Sequence, residues 1–286
     1  MLMAAFSKED YMSYPELNDF AHNIRQNILD ISYRSGTSTH IGGALSMTDV
    51  MAVLYGKILK FDVDNPRWSE RDRFILSKGH GVLGFYPALL RAGIISREVF
   101  DTFQQNGSDL IAHPVMNLDL GIESSNGSLG HGISMAVGIA LAAKKQEKSF
   151  KTYTLLGDGE TNEGSVWEAI MLASHLKLDN LTAIVDYNKQ QNDGFGKDVL
   201  HIKNMAERFR AFGWHVIEIN LVNKNHCFFI VKYIFTCHQY LAWIYWLCQI
   251  IRYVGANCFF HQPFFFIFCY HNNRYVRMLT FYNFQS

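Results

Sequence analysis

The sequence predicts an α/β fold, a mostly parallel sheet with helices on both faces. Two short, β-rich apolar runs predict the strands: KTYTLL at 151–156 and LTAIVDY at 181–187. Runs of that length without clean alternation fit strands covered on both sides. Between them SVWEAIMLASHLKL (165–178) reads as a helix, and MAERFRAFGWHVIEIN (205–220) reads as helix, Gly stop, strand. Strand–helix–strand repetition implies parallel pairing through right-handed crossovers.

The remaining elements follow from periodicity. In ELNDFAHNIRQNILDISYRS (16–35), Leu17, Phe20, Ile24, Ile28 and Ile31 share one helical face. A second helix is expected over 46–60, where Thr48-Asp49 precedes an apolar pattern. GHGISMAVGIALAAKKQ (130–146) is rich in small residues, as suits a helix packed closely on a sheet.

This pattern stops near residue 221, which divides the chain into an expected domain at 1–221 and an atypical tail at 222–286. The 286 residues carry no formal net charge, and this gives no whole-chain attraction to nucleic acid. That balance conceals an asymmetry. Every Asp and Glu lies at or before Glu218, so residues 1–221 are net −5 and the tail net +5. All five cysteines (Cys227, Cys237, Cys248, Cys258, Cys269) lie in the tail, spaced near ten residues, which fits neither a CxxC zinc site nor a short disulfide scaffold. Aromatics number 20 of 65 residues there against 21 of 221 before. The stretch 233–251 has no charged residue over nineteen positions, but His238, Gln239 and Gln249 argue against a membrane span. The N-terminal stretch lacks a basic segment followed by an apolar core, so a cytoplasmic location is expected.

The chemistry concentrates in LLGDGETNEGSVWEAI (155–170). Gly157-Asp158-Gly159 alone is ordinary turn chemistry. Its setting gives it more meaning. Asp158 stands just past the carboxyl end of one strand, and Asn188 just past the end of the next. Ligands of open α/β sheets bind outside those ends, and the start of a helix after Gly159 favours phosphate. A carboxylate and an amide oxygen on one rim, with the carbonyl of Gln190, form part of a Mg²⁺ site that phosphates and water would complete. Two unrelated turns would give the same residues.

Several motifs in collinear order carry a resemblance. GTSTHIGGALSMTDVM (36–51), LSKGHGVLGFYPALLRAG (76–93), AHPVMN (112–117), SSNGSLGHGISMAVGIALA (124–142), GDGETNEGSVWEA (157–169) and AIVDYNKQQNDG (183–194) resemble transketolase. The absence of a recognisable second domain is similar to the N-terminal, diphosphate-binding subunit of the split type. The similarity covers roughly residues 12–220. Deoxyxylulose-phosphate synthases are relatives whose motifs match less well.

The resemblance implies thiamine diphosphate with Mg²⁺ (or Ca²⁺ or Mn²⁺), the cation on Asp158, Asn188 and the Gln190 carbonyl. It implies that the Gly159 amide meets the diphosphate and that Gly127, Ser128 and Leu129 lie against the aminopyrimidine ring. His80 would sit by the diphosphate, and His40 and His113 would bond hydroxyls of the ketose donor. Taken alone, each of these histidines is more commonly structural in a chain with twelve. Glu163 matches a glutamate in a relay between two active sites, although an acid there also suits a helix's first turn. The implied substrates are ketose and aldose phosphates. The implied protein partner is a separate pyrimidine-binding C-terminal subunit, in a homodimer or heterotetramer. His131 and Asn126 depart from the usual residues near the ring. Past Asn220 the family pattern is lost, which leads to the expectation of a sheet missing an edge strand, with a poorly soluble or inactive product.

Overall fold

The computed structural model describes residues 12–36, 39–220 and 264–269. Helix α1 (Tyr14–Ser35) begins where the Glu16 carboxylate accepts the Ser13 amide at 2.6 Å and ends at Gly36, whose φ of 60° suits a residue without Cβ. The five apolar residues of its expected face are all buried. Short helices α2 (Ile41–Leu45) and α3 (Thr48–Val53) follow. The single helix expected over 46–60 is interrupted. Residues Leu54–Ile58 form a wider π turn, in which the Leu59 amide bonds the Leu54 carbonyl at 2.8 Å. There Gly56 abuts α1 so closely that a Cβ would lie 2.7 Å from Leu17 Cδ2.

Strand β1 (Arg73–Leu76) was not foreseen, because four residues carry too little pattern. Helices α4 (Val82–Arg91) and α5 (Arg97–Phe100) come next, then α6 (His131–Lys145), β2 (Thr152–Gly157), α7 (Gly164–His175) and β3 (Leu181–Tyr187). A small hairpin, β4 (Gln190–Gln191) and β5 (Gly194–Phe195), leads to α8 (Gly196–Val199) and α9 (Met205–Ala211). Gly213 then takes φ 83° and turns the chain into β6 (His215–Asn220).

The sheet order is β1-β2-β3-β7-β6, where β7 is Phe264–Cys269. Strands β1, β2 and β3 are parallel, and β7 runs antiparallel to both β3 and β6. The expectation of a bare strand edge is therefore corrected, since a segment from beyond residue 221 fills the place beside β3. Stretch 233–251 lies outside the described residues, and among those described no helix is long and apolar enough to cross a membrane.

Strand alternation splits the core in two. Phe74, Leu76, Tyr153, Leu155, Ile184, Ile217 and Ile219 face a cluster built with α1, α3 and α4. Ile75, Leu156, Leu181, Ala183, Val185 and Val216 face a second cluster with α6, α7 and α9. Helices thus cover both faces, and the loops that carry the chemistry are pushed to the strand ends.

Candidate functional site at the carboxyl ends of three strands

Parallel pairing sets the geometry. Gly157 of β2 is level with Asp186 of β3. The Asp158 amide donates to the Asp186 carbonyl at 3.1 Å, and Asp158 Oδ2 accepts from the Lys189 amide at 2.8 Å. Asn188 Oδ1 accepts from the Gln190 amide at 2.9 Å. Asp158, Asn188 and Gln190 therefore share one rim. Among the described residues no three His, Cys, Asp or Glu side chains form a metal cage, so a cation here would need an amide, a carbonyl and outside ligands.

The turn after Asp158 differs from the expected helix start. Residues Gly159–Asn162 form a 3₁₀ turn, and α7 begins only at Gly164. The Gly159 amide bonds its neighbour's carboxylate, Asp158 Oδ1, at 3.0 Å. Trp167 Nε1 donates to the Thr161 carbonyl at 2.8 Å and holds the turn against α7. A Cβ at Gly159 would lie 2.8 Å from Gln191 Cγ, so the β4–β5 hairpin presses on this glycine.

The three histidines gather around the same rim. The His40 and His80 rings stand 5.3 Å apart, edge to face. His113 lies against Gly127, where a Cβ would be 3.4 Å from its Cδ2. His40 and His113 are exposed and His80 half-buried. Burial, then Lys78 and the two other histidines, push His80 down to about 4, so its ring is neutral near pH 7. Gly127, Ser128 and Leu129 form the turn before α6. That turn packs on the loop after β1, where a Cβ on Gly79 would lie 2.5 Å from the Asn126 carbonyl oxygen. Only glycine permits this approach. Glu163 is exposed at the start of α7, with its Cβ against Gly130.

The buried charges beneath the rim were missed by sequence reasoning. Lys78 donates to the Gly43 carbonyl at 2.6 Å and to Asp186 Oδ2 at 2.5 Å, and Ser46 Oγ also donates to that oxygen. Asp186 Oδ1 is buried with no hydrogen-bond partner. Burial and the neighbouring Asp186 raise the Asp158 carboxyl to about 6, against the amides of Lys189 and Gly159. Burial also raises Glu160, against bonds from Ser77, Gly130 and Gly157. When ionised, three carboxylates thus surround one ammonium, a balance that a dication would neutralise. The signal in the sequence was a charge within an apolar strand end, IVD, and a lysine between a strand and a glycine-rich loop.

The sequence profile described as "Transketolase, thiamine diphosphate binding domain" matches residues 18–237. One of the two subunits of the apulose-4-phosphate transketolase of Phocaeicola vulgatus is 45% identical over 196 residues, 68% of this chain and 69% of the relative. The 6-deoxy-6-sulfo-D-fructose transketolase subunit SqwG of Clostridium sp. (strain MSTE9) is 42% identical over 210 residues, 73% of this chain and 76% of the relative. Among solved structures, transketolase from Campylobacter jejuni superposes with a TM-score of 0.73 at 33% identity, over 80% of this chain and 36% of that one. The chain thus spans about a third of that longer protein.

Proposed function

This chain belongs to the transketolase thiamine diphosphate-binding family, and from that premise we propose that it is the diphosphate-binding subunit of a split transketolase. Its reaction would move a two-carbon ketol unit from a ketose phosphate to an aldose phosphate. The observation that carries this reading is the shared rim, where Asp158 accepts from the amide that directly follows Asn188.

The residues present fit the cofactor and its cation. Asp158, Asn188 and the Gln190 carbonyl offer hard oxygen ligands, and the unpartnered Asp186 Oδ1 lies buried beside them as an acceptor for a cation-bound water. These residues would hold Mg²⁺, or Ca²⁺ or Mn²⁺ in its place. His80 and Gly159 would face the diphosphate, and Gly127, Ser128 and Leu129 the pyrimidine ring. Thiamine diphosphate supplies the nucleophilic carbon when bound. The chain's own residues bind and orient. Neutral His80 can donate or accept without adding charge, and the exposed His40 and His113 reach the hydroxyls of an entering sugar. Glu163, at the exposed start of α7, would carry a proton relay toward a second site.

The pyrimidine half of the site would come from a separate subunit, giving a homodimer or heterotetramer. The names of the apulose-4-phosphate and sulfofructose relatives, each given as one subunit of a transketolase, support this reading. Residues 1–221 would form the family domain, with β7 an added strand from the tail. A cytoplasmic location accords with sugar-phosphate substrates.

Calorimetry with thiamine diphosphate and Mg²⁺ tests the reading. The chain is expected to bind, and Asp158→Ala to lose binding at least tenfold. A donor screen with the partner subunit should include apulose 4-phosphate, 6-deoxy-6-sulfofructose, common ketose phosphates and pyruvate. Turnover of pyruvate alone would refute ketol transfer.

A further inference from the structure

Glu160 is 2% exposed, yet it is the meeting point of three loops. Its Oε1 accepts from Ser77 Oγ at 2.5 Å and from the Gly130 amide at 2.9 Å. Its Oε2 accepts from the Gly157 amide at 3.1 Å. Each donor stands next to a different part of the site. Ser77 directly precedes Lys78 and the turn that carries His80. Gly157 directly precedes Asp158. Gly130 directly follows Gly127, Ser128 and Leu129.

The same loops have no slack. A Cβ on Gly132 would lie 2.5 Å from Ser77 Oγ, and a Cβ on Gly130 2.6 Å from Ser165 Oγ. Gly130 also has φ 83°, which disfavours any side chain. Glycine contacts bring the loops together, but they do not fix their register. A carboxylate with three directed donors does.

We propose that Glu160 is a positioning residue that sets the distance between the cation rim at Asp158 and the ring-binding turn at Gly127–Leu129. This rests on the proposed cofactor. Glu160 reaches neither end itself and acts through Gly157 and Gly130. A glutamine cannot replace it. Glutamine has one acceptor oxygen, and its amide group would face a backbone N–H, donor against donor. Aspartate is too short to span the three donors.

The test compares two probes on the full chain by calorimetry. Magnesium pyrophosphate engages the Asp158 rim alone, whereas thiamine diphosphate with Mg²⁺ spans rim and turn. In Glu160→Gln, affinity for the full cofactor is expected to fall tenfold or more, and at least threefold further than affinity for pyrophosphate. Ser77→Ala removes one donor with little change in volume and should show the same ordering at a few-fold loss. It carries the comparison if Glu160→Gln does not fold. Equal losses for both probes, or wild-type affinity in a folded Glu160→Gln, would overturn the positioning role and leave the cofactor reading intact. A wild-type chain that binds neither probe would overturn both.

Discussion

Lys78 Nζ lies 2.5 Å from Asp186 Oδ2, and the two side chains are 1% and 0% exposed. The pair joins the loop after β1 to the end of β3, and Lys78 adds a bond to the Gly43 carbonyl of α2. Removing one partner leaves a buried charge unpaired, which typically costs about 3–5 kcal/mol. Lys78→Met should therefore lose about that much stability in urea denaturation. Lys78→Met with Asp186→Asn should recover a large part of it. A single-variant loss below about 1 kcal/mol would contradict the buried pair.

Two glycines should respond in opposite directions to alanine. At Gly79 the added methyl meets the backbone of Asn126 and Gly127, which cannot rotate away. Gly79→Ala should cost about 1–3 kcal/mol by overpacking and should displace the ring-binding turn. Gly138 lies on the exposed side of α6 with nothing within 4 Å of a Cβ. Gly138→Ala should stabilise by up to about 1 kcal/mol through helix propensity. Thermal denaturation of both variants checks the contrast.

The depressed titration of His80 gives a stability change with a definite sign. Unfolded, the ring titrates near 6.5, and folded at about 4. Between those values the unfolded chain binds more protons, so acid favours unfolding. The contribution is fully present above pH 6.5 and is lost as pH falls through about 4. Measured from pH 7 to pH 4.5, the stability of wild type minus that of His80→Gln should shrink. A difference that stays flat across this range would show that the ring is not held neutral.

Trp167 should report on the site. Its indole N–H bonds the carbonyl of Thr161, in the turn that begins at Gly159, and its ring packs on Phe209 and Phe212. Thiamine diphosphate with Mg²⁺ is expected to change tryptophan emission, and Trp167→Phe to abolish most of that change. A full response in the variant would place the reporter elsewhere.

The parallel frame was legible in the sequence because β2 and β3 are buried on both faces and their helix has strong periodicity. The Asp158–Asn188 rim was legible for the same reason, since two strands of known direction fix which ends coincide. Strand β1 and the π turn at Leu54–Ile58 were not, because one is too short to show a pattern and the other arises from contact between Gly56 and α1. Nor was the 3₁₀ turn after Asp158. Its amide satisfies a neighbouring carboxylate, and local propensity does not encode that choice. Glu160 looked like one more polar residue in a turn, since its three donors come from positions 77, 130 and 157.

The place of β7 between β3 and β6 sets a schedule for synthesis. Tyr187 and Phe264 are separated by 76 residues, and β6 has no link to β3 except through β7. At about 5–20 residues per second, the ribosome needs about 4–15 s after releasing β3 to deliver its neighbour. For that interval the nascent chain presents an unpaired ladder in the middle of its sheet. The yield of native protein should then depend on holdase chaperones during translation, more than on any contact in the finished molecule.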